Sequence, residues 1–262
     1  MNAIEVKQLS FAYDEVKPIC HHFSFSVRKG KMTALLGPNG CGKTTLLKLI
    51  SRLLVSQEGN IYIEGSPLKS LDSKTVAKKV AYVPQEISPL FSLSVIDFVM
   101  MGRAPYLKGF SFSTPTDEKI AEESLSQVGL LDYKDRWLHT LSAGEKQRAL
   151  IAKAITQSTP ILLLDEPTAH LDLKYQIETL SLLKSLQKKK NLTPLIVLHD
   201  FHLASEWSDD VILIHNESIF AQGAAKEVLT EKNILEVFGV NVAIDENPYT
   251  RQQRITYLIK DS

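Results

Sequence analysis

The chain has 262 residues, a length that fits one large domain or two small ones. Thirty basic residues balance thirty acidic ones, so the overall charge gives no case for nucleic acid or anionic lipid as the main partner. The hydrophobic fraction of 44% is ordinary for a soluble globular protein, and no apolar run approaches the roughly 18 residues that span a bilayer. We therefore expect a soluble chain without a secretory signal, and a membrane role would have to come through a partner.

The first third of the chain is dominated by short predicted strands, which lie at Ile4–Leu9, Phe23–Val27, Met32–Leu36 and Asn60–Ile63. A helix is predicted to begin in the loop after the third strand. It should run through the segment LLKLISRLL, because the leucines and isoleucines of this segment repeat at helical spacing.

Helices and apolar strands alternate in the rest of the chain. Helices are predicted over Asp117–Val128, with Thr116 as the N-cap, over the segment ALIAKAI, and over Tyr175–Lys190. The segments ILLLDE, LIVLHD and VILIH predict strands that are buried on both faces, as parallel strands tend to be. This alternation predicts an α/β fold with a largely parallel core sheet.

Residues 87–158 interrupt the alternation, because they are mostly helical and carry the long loop MGRAPYLKGFSFSTPTD. We interpret them as a helical insertion on the side of the core. A single domain over residues 1–262 is then predicted. Residues 1–86 and 159–240 form its core, together with an N-terminal antiparallel β subdomain, and residues 241–262 form a short C-terminal tail.

The segment GPNGCGKT, Gly37 to Thr44, fits the phosphate-binding pattern G-x-x-x-x-G-K-[ST]. Its glycines allow backbone N–H groups to curl around phosphate oxygens, and the following helix points its N-terminus at the anion. Lys43 is placed to reach the outer phosphates, and the Thr44 hydroxyl is placed to bind Mg²⁺. A chance glycine loop is the alternative. It is disfavoured because the segment follows the apolar strand MTALL and opens an apolar helix.

Two further strand ends carry polar residues that fit the same site. Asp165 ends the strand ILLLDE, where it can hold Mg²⁺ directly or through water, and Glu166 can orient or deprotonate the attacking water. His199 ends the strand LIVLHD, and ligands of open α/β sheets bind at the carboxyl ends of the strands. We therefore interpret His199 as a γ-phosphate contact. Purely structural roles for Glu166 and His199 are the alternatives.

The segment LSAGEKQR, Leu141 to Arg148, predicts a second anion-binding helix N-terminus, because Ser142 and Gly144 stand where a helix begins. The chain thus has two phosphate-binding surfaces but only one set of Lys43, Thr44 and Asp165. Two chains arranged head to tail would place each segment over the other chain's ATP.

At this point the sequence resembles the nucleotide-binding subunits of ATP-binding cassette (ABC) transporters, over essentially its whole length. The resemblance rests on motifs that occur in the right order. These are a Walker A motif at Gly37–Thr44, a Q-loop glutamine at Gln85, a signature at Leu141–Glu145, a Walker B motif at Ile161–Glu166, a D-loop aspartate at Asp172 and a switch histidine at His199. Tyr13 in SFAYDE matches the aromatic residue that stacks on adenine, although an aromatic near a strand end is commonly a packing residue.

The resemblance implies a P-loop NTPase core and a sandwich homodimer that holds two ATP molecules with Mg²⁺. Glu166 would be the general base, His199 the γ-phosphate sensor, and Gln85 the link from Mg²⁺ and water to the transport subunit. The signature residues Ser142, Gly144 and Glu145 would act on the partner's ATP. The metal would be held by Thr44, Gln85 and Asp165, and the nucleotide by Tyr13, Gly37, Pro38, Asn39, Gly40, Cys41, Gly42, Lys43, Thr44 and Thr45.

The signature departs from the usual Leu-Ser-Gly-Gly-Gln at two positions. Ala143 replaces the first glycine, and as a good helix former it should fit if the backbone there has a negative φ. Glu145 replaces the glutamine and adds negative charge near the partner's phosphates. We expect Glu145 either to turn away from the phosphates or to lower the affinity for ATP.

Within the family, the chain is similar to the ATPases of type II importers, which take up iron–siderophore complexes, haem, cobalamin or certain oxyanions. The similarity lies in VMMGRAPYL, TPTDEKIAEESL, LLLDEPTAHLDLKYQIE and EVFGVNVAI. Gly102, Arg103 and Pro105 would then contact a polytopic permease, with a surface loop arginine as the alternative for Arg103. The resemblance implies a place on the cytoplasmic face of the cell membrane, an indirect partnership with a substrate-binding protein, and no nucleic acid partner.

Two other classes remain as alternatives. A soluble single-cassette ATPase of the iron–sulfur cluster assembly type has a similar size, and the GRAPYL loop argues against it. A scaffold that binds nucleotide without hydrolysis would need loss of Glu166 or His199, and both residues are present.

Overall fold

The structure is a computed structural model that describes residues 1–14, 18–86, 92–107, 113–169 and 171–258. Strands and helices follow each other through the whole described chain. In chain order they are β1 (Asn2–Ala12), β2 (Pro18–Arg28), β3 (Thr33–Leu36), α1 (Lys43–Ile50), β4 (Glu58–Ile63), β5 (Ser66–Pro67), α2 (Ser73–Lys79), β6 (Val80–Val83), α3 (Val95–Met100), α4 (Pro115–Gln127), α5 (Ala143–Thr156), β7 (Ile161–Leu164), α6 (Leu173–Lys190), β8 (Thr193–Val197), α7 (Phe201–Trp207), β9 (Asp210–His215), β10 (Ser218–Ala224), α8 (Ala225–Val228), α9 (Glu231–Phe238), β11 (Val242–Glu246) and β12 (Gln253–Tyr257).

The main sheet has six strands in the order β10-β9-β3-β8-β7-β6. Neighbouring strands from β9 to β6 are parallel, and only the edge strand β10 runs antiparallel to its neighbour. Every residue of β3, β7 and β8 is buried, as expected for central parallel strands that helices cover on both faces. The predicted α/β fold with a mainly parallel core sheet is confirmed.

A second sheet, in the order β2-β1-β4-β5, is entirely antiparallel and is built from the first 67 residues. Helix α1 lies between the two sheets. Its Leu46 and Ile50 belong to one hydrophobic cluster with Ile4 and Phe23 of the antiparallel sheet and Leu35 of the parallel sheet. This packing fixes the axis of α1, and therefore the direction in which its N-terminus points.

Helices α3, α4 and α5 pack against each other beside the main sheet. Phe98, Leu125 and Leu150 are buried in the cluster that also contains Leu164 of the sheet. These helices lie within the predicted insertion at 87–158, of which residues 87–91 fall outside the described ranges. The exact division of the chain into core, insertion and tail stays a prediction.

Two predicted helix ends are wrong. Thr114 caps α4 instead of Thr116, because its hydroxyl accepts from the Asp117 N–H while Asp117 bonds back to it, and Pro115 then occupies the first helical position. Helix α1 ends at Ile50 instead of continuing through Leu54, since Arg52 adopts a left-handed backbone with a φ of 62°.

The predicted C-terminal tail is folded over its described part, which ends at residue 258. Strands β11 and β12 pair as an antiparallel hairpin, and Val242 and Ile255 are buried in the main cluster. Among the residues that the structure describes, every helix is too short or too polar to span a bilayer.

Candidate functional site

Four strand ends meet at the carboxyl edge of the parallel sheet, where the topology brings distant sequence motifs together. Gly37 follows β3, Asp165 and Glu166 follow β7, Gln85 lies two residues after β6, and His199 lies two residues after β8. A cleft of about 530 Å³ opens at this edge. Its lining consists of Ile19, Asn39, Gly40, Gly42, Lys43, Thr44, Thr45, Gln85, Glu166 and His199. The site is therefore the kind of crevice that open α/β sheets use for ligands.

The loop between β3 and α1 curls back on itself through left-handed glycines. Gly42 has a φ of 95°, and a Cβ at this position would lie 2.8 Å from Ile19 Cγ2. The Lys43 ammonium group donates hydrogen bonds to the carbonyl oxygens of Gly37 at 2.8 Å and Pro38 at 2.9 Å. These bonds hold the charged group across the loop, at the N-terminus of α1. A positive charge and a helix N-terminus in one concave loop favour binding of a phosphate.

Asp165 is 2% exposed and lies directly beside Thr44 and Glu166, two residues that line the cleft. The Thr44 hydroxyl donates to Asp165 Oδ1 at 3.0 Å, and the Tyr82 hydroxyl donates to Oδ2 at 3.2 Å. Burial raises the pKa of Asp165, and these two hydrogen bonds partly oppose the increase. A desolvated carboxylate beside a hydroxyl is the oxygen donor set that Mg²⁺ prefers, so these residues fit that metal.

Glu166 is held between side chains from two other strand ends. Its backbone has a φ of 48°, a left-handed conformation that is costly for a residue other than glycine. Gln85 Nε2 donates to Glu166 Oε2 at 2.8 Å, and His199 Nε2 lies 2.5 Å from Glu166 Oε1. Both carboxylate oxygens are thus fixed at the edge of the cleft.

The signature segment begins helix α5 with a capping box. The Ser142 hydroxyl accepts from the Glu145 N–H, and Glu145 Oε2 accepts from both the N–H and the hydroxyl of Ser142 at 2.8 Å. These two hydrogen bonds lower the pKa of Glu145, and the bond from the Ser142 backbone N–H contributes more than the bond from the Ser142 hydroxyl. The Glu145 carboxylate therefore turns back onto the N-terminus of its own helix, and the choice between the two expectations for this residue stays a prediction.

The signature lies away from the cleft of its own chain. The described residues that line the cleft include none from 141–145. Ser142 and Ala143 are exposed, and Gly144 packs on the ring of Tyr175, whose Cγ would lie 3.6 Å from an added Cβ. Asp172 is exposed at the N-cap of α6. The signature therefore offers a helix N-terminus that faces outward.

Tyr13 is 61% exposed near the mouth of the cleft, and its hydroxyl lies 3.1 Å from Thr45 Oγ1. Its ring and that of Phe11 lie 5.1 Å apart between centroids, in an edge-to-face arrangement. The Gln57 amide both donates to and accepts from the backbone of Ala12, at 2.9 Å each way. An aromatic ring that is mostly exposed is thereby held beside the phosphate loop.

The family model that matches the chain is that of the ABC transporter, and the match runs over residues 20–169, more than half of the chain. The chain belongs to the ABC transporter family. It is an ATPase of the family's ATP-binding type, and the resemblance found in the sequence is confirmed.

Curated relatives match this ABC subunit over nearly its full length. The iron(3+)-hydroxamate import ATP-binding protein of Bacillus subtilis is 37% identical and covers 96% of this chain and 93% of its own. The ferric enterobactin transport ATP-binding protein of Escherichia coli is 34% identical over 92% of this chain and 89% of its own.

Solved structures share the fold of the ABC subunit over most or all of its length. A structure described as a metal-chelate type ABC transporter in an inward-facing conformation gives a TM-score of 0.87 at 28% identity, over 99% of both chains. A dimeric ATP-binding cassette in a post-hydrolysis state, bound to ADP and phosphate, gives a TM-score of 0.74 at 26% identity, over 85% of this chain and 98% of its own.

The prediction that the Arg103 side chain contacts the permease is wrong, because this side chain is buried, and Gly102, which has no side chain, is buried as well. Arg103 is 8% exposed, its Nε donates to Asp117 Oδ1 at 2.8 Å, and its Nη1 donates to the Thr156 carbonyl at 3.0 Å. A Cβ on Gly102 would lie 2.3 Å from the Lys153 carbonyl oxygen. Both residues pack inside the chain: Arg103 links the segment after α3 to α4 and α5, and Gly102 allows this segment to lie close to the backbone of α5. Pro105 is half-buried, and its contact with a permease stays a prediction.

The buried Arg103–Asp117 pair is expected to make the stability of this ABC subunit depend on pH in acid. Hydrogen bonds lower the pKa of Asp117 to about 2. The largest contribution comes from the Thr114 hydroxyl and the next from the Arg103 guanidinium. The ordinary pKa of an aspartate is about 3.9, so the stabilisation is complete only above about pH 5 and is lost as the pH falls towards 2. We expect Asp117→Asn to lower the free energy of unfolding by about 2 kcal/mol at pH 7.

Urea unfolding from pH 7 to pH 2 measures this effect, and the difference between Asp117→Asn and the unchanged chain should shrink below pH 4. Glu118→Gln is the matched control, since Glu118 lies in the same first turn of α4 but is exposed. Equal stability of the Asp117→Asn chain at pH 7 would contradict the role of the pair.

Three residues that support the site were not predicted. Tyr82 donates to Asp165, Gln57 fixes the backbone before Tyr13, and Tyr175 underlies Gly144. Only Tyr82 had a signal in the sequence, because it lies three residues before the Q-loop glutamine Gln85 in the segment AYVPQE. The other two contacts join segments that are distant along the chain.

Proposed function

We propose that this chain is the ATP-binding and hydrolysing subunit of an importer that takes up an iron–siderophore complex or a related metal chelate through a partner permease. The site's geometry supports the hydrolytic part. The observation that carries it is Glu166, which Gln85 and His199 hold at the cleft with both oxygens engaged. The relatives that import iron(3+)-hydroxamate and ferric enterobactin support the choice of cargo.

In this proposal the cleft binds the triphosphate of ATP. Backbone N–H groups of Gly37–Thr44 surround the phosphates, and Lys43 neutralises the outer ones. Thr45, in the first turn of α1, lines the same cleft. Tyr13 presents its exposed ring to the adenine, since a flat ring and a base stack well. Pro38, Asn39, Gly40, Cys41 and Gly42 shape the loop.

Glu166 accepts a proton from the attacking water in this proposal, because it is the carboxylate at the cleft that is not committed to Thr44 and Tyr82. His199 holds one carboxylate oxygen and is placed to contact the γ-phosphate. Gln85 holds the other oxygen and lies at the start of the segment that leads into the helical insertion. A change at the γ-phosphate can therefore reach the insertion through Gln85.

Thr44, Asp165 and Gln85 are proposed to hold Mg²⁺, which when bound would neutralise charge on the phosphate oxygens. Their oxygens suit this hard cation. Among the described residues no group of three His, Cys, Asp or Glu side chains could hold a metal. Mg²⁺ in nucleotide sites is usually held by the phosphates, by water and by only one or two protein carboxylates.

We further propose a homodimer in which Ser142 and Gly144 of one chain contact the γ-phosphate in the other chain's cleft. The outward-facing N-terminus of α5 supports this arrangement, since its own cleft lies elsewhere. Glu145 would contribute through the backbone that its carboxylate orders, and the exposed Asp172 would lie at the contact between chains.

The permease would dock on the helical insertion near Pro105 and place the chain at the cytoplasmic face of the membrane. A substrate-binding protein would then deliver the cargo on the far side. The exposed side chain of Met101, next to Gly102, lies on this part of the insertion. Haem and cobalamin remain within the class of cargo that we propose.

The proposal is tested by recovery of tagged Glu166→Gln from gently solubilised native membranes, with bound proteins identified by mass spectrometry. We expect a polytopic permease to be recovered with the chain in the presence of ATP and Mg²⁺. Reproducible recovery of soluble partners alone would contradict transport and favour a cluster-assembly ATPase. Uptake of radiolabelled iron chelates in cells that carry only Glu166→Gln should then be lost, in parallel with ATPase activity.

A further inference from the structure

Helix α7 begins two residues after His199, at Phe201, and is only seven residues long. Isolated helices shorter than about 12 residues are marginal in water, so contacts with the rest of the protein must fix its position. Asp200 caps it by accepting from the N–H groups of His202 at 2.7 Å and Leu203 at 3.2 Å. Because only this cap residue separates His199 from the helix, any shift of α7 also moves the backbone of His199.

The buried residues of α7 are Phe201, Ala204 and Ser205, and two of them contact the C-terminal hairpin β11–β12. The Ser205 hydroxyl donates to the Gln253 carbonyl at 2.7 Å. The rings of Phe201 and Tyr257 lie 5.3 Å apart between centroids. The hairpin therefore contacts α7 at two points, Phe201 in its first turn and Ser205 in its second.

The hairpin is itself firmly attached to the core. Ile255 is 5% exposed and belongs to the main hydrophobic cluster, and Gln253 Nε2 donates to the Leu229 carbonyl at 2.6 Å. Arg254 forms a two-pronged ion pair with Asp245 across the two strands, at 2.7 Å and 2.5 Å. A rigid hairpin that is anchored at several points can hold a short helix in one place.

We propose that the C-terminal hairpin, residues 242–257, is a positioning element for His199, which it holds against Glu166 through α7. This proposal rests on the hydrolytic role that is proposed for His199 above. The contact between His199 Nε2 and Glu166 Oε1 is only 2.5 Å long and joins two different strand ends, so it depends on where the backbone after β8 lies. Loss of positioning should reduce the rate of hydrolysis with little effect on ATP binding, because the hairpin does not line the cleft.

The test is the kinetics of ATP hydrolysis by the full chain with changes at the hairpin. We expect Tyr257→Ala to lower kcat about tenfold with KM for ATP within about twofold, since small misplacements of a reacting group are costly. Tyr257→Phe should retain kcat, because it keeps the ring against Phe201. Tyr249→Ala is the matched control: it makes the same change on the same hairpin, but at a side chain that is 94% exposed.

A double change separates positioning from general stability. In a His199→Ala chain, Tyr257→Ala should cause no further loss of kcat, because the hairpin then has no histidine to position. An unchanged kcat in Tyr257→Ala, or an equal loss with and without His199, would overturn the proposal. An unchanged kcat in His199→Ala alone would contradict the proposed function of the site and overturn the positioning role with it.

Ser205→Ala provides a second route if Tyr257→Ala folds poorly. It removes the hydrogen bond to Gln253 but leaves the aromatic contact between Phe201 and Tyr257 in place. We expect a smaller loss of kcat, about threefold, which should likewise vanish in the His199→Ala chain. A loss that persists in that chain would contradict positioning through His199.

Discussion

Glu166→Gln is expected to lower kcat for ATP hydrolysis by at least about a hundredfold and to leave ATP binding intact. A positioned general base contributes about a hundredfold or more, and an amide of the same shape cannot accept the proton of water. The phosphate loop, Lys43 and Asp165 are unchanged in this variant, so the groups that bind nucleotide remain. Steady-state hydrolysis and equilibrium binding of ATP with Mg²⁺ measure the two properties separately.

Glu178→Gln is the matched control for this prediction. Its carboxylate is exposed on α6 and lies 3.9 Å from Lys174, outside the cleft. The control chain should hydrolyse ATP at the ordinary rate. Retention of most activity by Glu166→Gln would show that another group activates the water.

The same variant should accumulate as a dimer on gel filtration with ATP and Mg²⁺. In the proposed sandwich each ATP joins two chains, so a chain that binds ATP without hydrolysing it has no step that releases its partner. Omission of Mg²⁺ or ATP should return the monomer. A monomer under all conditions would contradict the composite site.

The parts of the fold that the sequence predicted are those with strong local signals. The apolar run ILLL, residues 161–164, is typical of a central parallel strand, because such a strand is buried on both faces. The glycines around Lys43 and the polar residues at strand ends follow from the chemistry of phosphate binding. Residues 165, 166 and 199 could be assigned to one crevice because the carboxyl ends of parallel strands share one edge.

The parts that sequence reasoning missed depend on contacts between distant segments. An arginine in a loop is usually exposed, yet the Arg103 side chain is buried because it donates hydrogen bonds to Asp117 and to the Thr156 carbonyl. Thr116 and Thr114 are equally good caps by residue type, and Pro115 decides between them because proline favours the first helical position. Residues 241–262 look like a tail in the sequence because the hairpin is stabilised by contacts with distant residues, such as the hydrogen bond from Ser205 to Gln253, and not by a strong local pattern.

Gly144→Asp is expected to abolish dimer formation with ATP and to lower kcat by about a hundredfold, without destabilising the folded chain. Gly144 has an ordinary backbone, and an added Cβ would meet Tyr175 at no closer than 3.6 Å. An aspartate in the first turn of α5 is also favoured by the helix dipole. Inside one chain the change is therefore tolerated.

The cost of Gly144→Asp arises only if another chain's ATP lies against this helix N-terminus. A carboxylate a few ångströms from a γ-phosphate near a protein surface costs about 3 kcal/mol, which is roughly a hundredfold in an equilibrium constant. ATP binding to the chain's own cleft should be unaffected, because the signature does not line it.

Thr116→Asp is the matched control for this change, since it places the same charge in the exposed first turn of α4 in the same helical insertion. That chain should dimerise and hydrolyse ATP normally. If Gly144→Asp did the same, the signature could not face a partner's phosphates. If Gly144→Asp instead lost ATP binding as a monomer, the signature would act within its own chain. Loss of dimer and turnover with retained binding and retained stability is the one combination that only a site shared between two chains produces.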